Sequence, residues 1–240
     1  DFHGGGSDLI FPHHENEIAQ SEAFTGKKPM VKYWLHNGFI TINSEKMSKS
    51  LNNFFLVKDV LEHYSPDALR FFLISNHYRS PLDFSDERLE EMTRSLERLG
   101  TAIDNVLELL AMPAGAKSPE AQQLLETAHK DEEAFENAMC DDFNTALASA
   151  AMFDLAKNVN IFKNAVVNNG VPVDSAALSE VKRVFKTFTD ILGILEDRWT
   201  GKKEDASSKD YDDLIQAILD SRQECRAQKQ YALAGASRDT

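Results

Sequence analysis

Lys46-Met47-Ser48-Lys49-Ser50 puts two ammonium groups on a short loop between a strand-like and a helix-like run. Phosphoryl and nucleotidyl transfer concentrate negative charge on phosphate oxygens in the transition state, and positioned cations stabilise it. Lys46 and Lys49 are therefore candidates for gripping a triphosphate. A bare lysine pair at this spacing is common and is explained better as solvated surface. The whole five-residue string is not, because a chance match to five given residues is improbable in 240 positions. Upstream, Gly4-Gly5-Gly6-Ser7-Asp8 offers a glycine turn and a carboxylate. Gly6 would let a ligand approach the backbone, and Asp8 could hold a ribose hydroxyl, although a tight turn accounts for the glycines too. Next comes Phe11-Pro12-His13-His14-Glu15-Asn16-Glu17. His13 and Glu17, four residues apart, share one face of a helix. An imidazole and a carboxylate there supply part of a tetrahedral zinc site; a surface ion pair is the plainer explanation. His3 and His14 enrich the region, but no thiolate is near, so any zinc site here is a half-site.

The elements that must position these groups change character along the chain. Val31 through Ile42 is aromatic and β-branched and predicts strand. Pro12 followed by His13 through Ala23 predicts a helix with proline in its first turn. From about Val60 the pattern is helical. Ser65 and Ser85 stand as N-caps, with Pro66 at a first helical position. Leu89, Met92, Leu96, Leu99, Ile103, Val106 and Leu110 alternate spacings of three and four, the seam of a bundle helix. Pro113 through Pro119 breaks it, and further helices are predicted near 119–139, 142–168, 175–197 and 209–234. Asp141 through Thr145 reads as an acidic capping turn. Arg70 and Arg79 read as phosphate contacts or as ion-paired surface. The fold class is thus an α/β remnant of a Rossmann-like domain followed by an all-α bundle.

Bulk composition narrows the partners. No apolar run approaches the roughly 20 residues that span a bilayer, and the first residues carry no signal peptide. Net charge is −13; up to Asp59 six lysines face seven acidic residues, so almost all the excess lies beyond. That balance excludes a general nucleic-acid binder and demands local contacts. Cys140 and Cys225 form no metal motif and read as buried small apolar residues in a reducing, cytoplasmic compartment. The chain starts without Met, inside a functional-looking loop, and reads as a piece of a longer protein.

The segments DFHGGGSDLIFPHHENEIAQSEAF, WLHNGFITINSEKMSKSLNNF, SPDALRFFLISNHYRSPLDFS and MCDDFNTALA resemble successive parts of bacterial-type cysteinyl-tRNA synthetase. The resemblance covers residues 1–200 and is most specific in the first 85. It implies a class I enzyme that activates cysteine with ATP and Mg and esterifies tRNA-Cys. It implies ATP binding by Gly6, Asp8, Lys46 and Lys49, and zinc binding by His13 and Glu17, the metal sorting a thiolate from a hydroxyl. Asp67-Ala68-Leu69-Arg70 matches the DALR motif. The implied layout is 1–60 catalytic, 61–95 connecting helices, 96–200 anticodon-binding bundle and 201–240 linker with a C-terminal helical segment, in a monomeric parent. The family's HIGH motif and two cysteine ligands belong upstream of Asp1, so the chain alone is expected to be inactive. Asn52 stands where glycine is usual. Two other readings remain at this stage: the related cysteine ligase of thiol biosynthesis, which joins cysteine to an amino sugar, and a non-catalytic RNA-binding or interaction module.

Overall fold

The computed structural model describes residues 1–42, 45–46 and 56–201. Lys49 and the rest of its pentapeptide beyond Lys46, Asn52, Cys225 and the helix predicted at 209–234 lie outside the described residues. Strand β1 (Phe2–Gly6) pairs in parallel with β2 (Tyr33–Asn37), setting His3 opposite Trp34 and Gly5 opposite His36. Parallel neighbours need a crossover, and helix α1 (Glu15–Thr25) lies in it, ending at Gly26 with φ 64°. Sequence predicts this helix from Pro12; it starts at Glu15 because Phe11 is extended (φ −131°, ψ 134°) and interrupts the turn Ile10–His14.

The predicted strand run is two strands. Between β2 and β3 (Ile40–Ile42), Gly38 lies so close to the Ser80 carbonyl that no side chain fits. Strand β3 is the middle of a second sheet. It runs antiparallel to β4 (Glu45–Lys46), with Thr41 opposite Lys46, and parallel to β5 (Leu82–Phe84), with Ile40 opposite Leu82.

Helices α2 (Val57–Val60) and α3 (Pro66–Ile74) precede β5. Ser65 Oγ accepts from Ala68 N at 3.1 Å, as its N-cap position predicts, and Ser85 does the same for α4 (Asp86–Ala111) through Arg88 N at 3.3 Å. Val60, Phe72, Leu82 and Leu89 form a small core that ties β5 to the helices, with Phe72 packed edge-on against Phe84. Beyond it, α4, α5 (Pro119–Cys140), α6 (Thr145–Asn169) and α7 (Ser175–Leu192) make the bundle. The seam is buried at Leu89, Leu96, Leu99, Ile103 and Val106. At its end Leu109, not Leu110, turns inward, because a 3.6-residue helix drifts against a strict heptad. Phe135 stacks on Phe188 with ring centres 4.3 Å apart. Cys140 is exposed rather than buried, since Ala138 takes the inward place on the last turn of α5.

The DALR segment closes the bundle's end. Asp67 Oδ2 accepts from Leu195 N at 2.7 Å, Ala68 is buried, and Arg70 lies against Gly193, where α7 ends. The chain divides into compact units Asp1–Glu196 and Asp197–Thr240; the second is described through Gly201 as the remainder of α8 (Glu196–Thr200). No described helix is long and apolar enough to cross a membrane.

Candidate metal and nucleotide site

The parallel pair β1–β2 builds one face from alternating residues. Trp34 and His36, two apart on β2, point the same way, and His3 packs edge-on to Trp34 from β1. The turn before α1 brings His14 onto this face, where it is buried among imidazoles and indole: its ring centre lies 5.1 Å from both Trp34 and His36. His14 Nδ1 is 2.9 Å from His36 Nε2, so the two rings take complementary tautomers and one donates to the other. Burial lowers the His14 pKa, against the pull of Glu17 in the opposite direction. Room for the ring comes from Gly5, where a Cβ would lie 3.1 Å from His14 Cε1. A Cβ at Gly6 would fall 2.5 Å from Asp8 Oδ1, so the glycine also lets the Asp8 carboxylate fold back over the strand end.

Glu17 is the hub. Its Oε2 is 2.8 Å from His3 Nε2, and its Oε1 is 3.4 Å from His13 Nε2. Oε2 is buried, and despite the neighbouring imidazole no well-aligned hydrogen bond reaches it. One donor atom each from His3, His14 and Glu17 falls within 4.8 Å of the others. Two imidazole nitrogens and an orphaned carboxylate oxygen suit zinc or a similar borderline cation, so the residues present fit a metal. His13, from the sequence pair, stands beside this group on the second oxygen of Glu17, with its side chain exposed. Sequence reading noted His3 and His14 only as local enrichment and missed Trp34 and His36. Their two-residue spacing on a predicted strand was the available signal.

Of the predicted nucleotide residues, Gly6 ends β1 and Asp8 follows in the turn Ser7–Leu9, close to the imidazole cluster in sequence and space. Lys46 lies on the second sheet, its backbone paired with Thr41. The Asp141–Thr145 turn departs from the capping role expected of its acids: Asn144 caps α6, accepting from Leu147 N at 3.1 Å. Asp142 instead accepts from Tyr78 Oη at 2.7 Å and from Arg79 Nε at 2.5 Å. Arg79 is thereby ion-paired. These hydrogen bonds, the Arg79 one foremost, hold the Asp142 carboxyl below its usual range.

Residues 1–94 match the family model of the tRNA synthetases class I (C) catalytic domain, and residues 134–196 match that of the DALR domain. The chain belongs to the class I tRNA synthetases. Curated relatives named cysteine–tRNA ligase align with all of it: 49% identical in Desulforamulus reducens, 45% in Heliobacterium modesticaldum and 48% in Pelotomaculum thermopropionicum. The chain spans about half the length of these relatives (50% of each). Among solved structures, the LeuRS of Agrobacterium radiobacter K84, in a ternary complex with tRNA and LeuAMS, shares the fold at TM-score 0.64 and 19% identity, over 83% of this chain and 26% of that one. This class I synthetase chain therefore carries an α/β piece with a metal-capable cluster and, beyond it, a DALR bundle.

Proposed function

We propose that the chain works as part of a cytoplasmic, monomeric cysteine–tRNA ligase, which activates cysteine with ATP and transfers it to tRNA-Cys. The observation that carries this reading is the alignment of the whole chain, at 49% identity, with a relative of that name. The imidazole–carboxylate cluster around Glu17 supports it, because cysteine is told from serine most simply by a metal that prefers sulfur. The DALR match supports a tRNA acceptor over the amino sugar of thiol biosynthesis. In this reading residues 1–60 serve the catalytic domain, 61–95 connect and 96–200 meet the anticodon side.

Each residue then has a task. Glu17, with imidazoles of the His3–His13–His14 group, holds zinc, which when bound supplies the site for the substrate thiolate. His36 fixes the His14 tautomer, and Trp34 covers the rings and keeps water away. Gly6 and Asp8 receive the nucleoside, and Lys46 and Lys49 neutralise the triphosphate as the adenylate forms; Mg bound with ATP would share in that charge neutralisation.

The test is to join the chain to the half of the Desulforamulus reducens relative that it does not match, and to measure ATP–pyrophosphate exchange. Exchange should depend on cysteine and not on serine, and the chain alone should give none. Lys49→Ala in the joined protein should lower exchange about 100-fold, near 3 kcal/mol of transition-state stabilisation. Exchange by the chain alone would contradict the expected incompleteness. Ligation to an amino sugar, without tRNA charging, would replace the reading by its neighbour in thiol biosynthesis.

A further inference from the structure

Among the described residues, the non-glycine positions with left-handed backbone are Asp142 (φ 57°), Phe143 (φ 54°) and Leu195 (φ 59°). Two consecutive side-chain-bearing residues in that region are costly, and surrounding contacts must hold them. Helix start chemistry does not, since Asn144 alone caps α6. The end of α5 supplies backbone bonds, Phe143 N donating to the Met139 carbonyl at 3.2 Å and Asn144 N to the Ala138 carbonyl at 3.0 Å; the side-chain contacts come from a distant segment, the connection between α3 and β5. Tyr78 Oη and Arg79 Nε each donate to a different oxygen of Asp142, and His77 Nε2 lies 3.7 Å from Oδ2. Thr145 Oγ1 donates to the Ile74 carbonyl at 2.8 Å, fastening the same turn to the end of α3.

The other side of that connection faces the strands. The Tyr78 carbonyl accepts from Gly38 N at 2.8 Å, and Gly38 sits against the Ser80 carbonyl with no space for a Cβ. Leu82 N donates to the Phe39 carbonyl at 2.9 Å, where the β3–β5 pairing begins. Thr41 Oγ1 then donates to Asp83 Oδ1 at 2.7 Å, and Thr41 is the residue opposite Lys46. An unbroken series of hydrogen bonds and chain segments runs from the α5–α6 turn to the strand that carries the first lysine of the pentapeptide.

We propose that Asp142, gripped by Tyr78 and Arg79, is a positioning residue: it sets residues 77–82, and through them the β3–β4 pair that presents Lys46 to ATP. This rests on the reading of Lys46 and Lys49 as phosphate-binding groups. The bundle's α5–α6 turn thus determines how Lys46 is presented, although Asp142 touches neither ATP nor metal. A mere packing clip would act on stability alone, whereas a positioning residue acts on the strands and on the use of ATP.

Two measurements decide. In the intact 240-residue chain, Asp142→Asn keeps the side chain's shape and removes the ion pair. Hydrogen exchange at the Gly38 and Leu82 amides should then quicken about tenfold, while Val106 and Phe188 in the bundle keep their protection. Equal rates at Gly38 and Leu82, or a uniform quickening everywhere, would overturn the proposal. In the joined two-half protein, Asp142→Asn should raise the ATP KM roughly fivefold and leave the cysteine KM unchanged. Arg79→Met should do the same, and the double variant should be no worse than either single one, as one linked unit requires. An unchanged ATP KM while Lys49→Ala lowers exchange as expected would refute the positioning role and spare the lysine reading. Indifference of exchange to Lys49→Ala would bring both down.

Discussion

Asp131 sits inside the bundle on α5, buried, with its Oδ2 meeting no hydrogen-bond partner. Burial, reinforced by the Asp154 carboxylate and opposed by Lys130, raises its pKa to about 6. The folded pKa lies above the ordinary carboxylate value, so the protonated form is favoured by folding. The contribution is complete below about pH 4 and is lost as pH rises through 6. A separation of about two pH units corresponds to roughly 3 kcal/mol at most, which solvent screening reduces to about 1–2 kcal/mol. Asp131→Asn should therefore raise the denaturation midpoint at pH 7.5 and change little at pH 4, a difference read directly by urea melts at the two pH values. Nothing in the sequence marks Asp131 out: in a helix this acidic it reads as one more solvated carboxylate, and only the packing of α6 and α7 shows otherwise. Glu17 is the opposite case. Its spacing from His13 was legible, while the larger part of its surroundings, His3 and the Trp34–His36 face, comes from a strand pairing that no local pattern encodes.

At the scale of elements, helix starts were the most legible features, because a cap is a local contract between a side chain and a nearby amide. Ser65 and Ser85 do what their positions predict. Ser65→Ala should cost about 1 kcal/mol in a thermal or urea melt; a loss close to zero would mean that tertiary packing of Phe71 and Phe72 alone carries α3. The Asp141–Thr145 turn is legible only in part, for the complementary reason: Asn144 within it caps α6 as a capping turn predicts. Its acids look like capping groups, yet Asp142 binds residues 63 and 64 positions away, and sequence proximity gives no access to such a pairing. Likewise the run 31–42 has strand composition throughout, and its break at Gly38-Phe39 follows from the backbone of residue 80 arriving there.

On the scale of the whole molecule, charge and architecture are divided in the same place. Nearly all of the net −13 lies beyond Asp59. Binding under such a background relies on few phosphate contacts. Under the proposed function, the affinity of this chain for tRNA-Cys should consequently fall no more than about tenfold between 50 and 200 mM salt, far less than for a basic nucleic-acid binder. Filter binding across that range checks it, and a steeper decline would point to a concentrated basic surface. The division into an α/β portion and a helical one was plain from composition, but not how the two are bolted together at residues 74–82 and 142–145. That bolt has a practical corollary. Cys140 ends α5 with its thiol exposed, two residues before Asp142. A maleimide fluorophore attached there, with Cys225 replaced by serine, becomes a gauge that reads whether Asp142→Asn alters the joint.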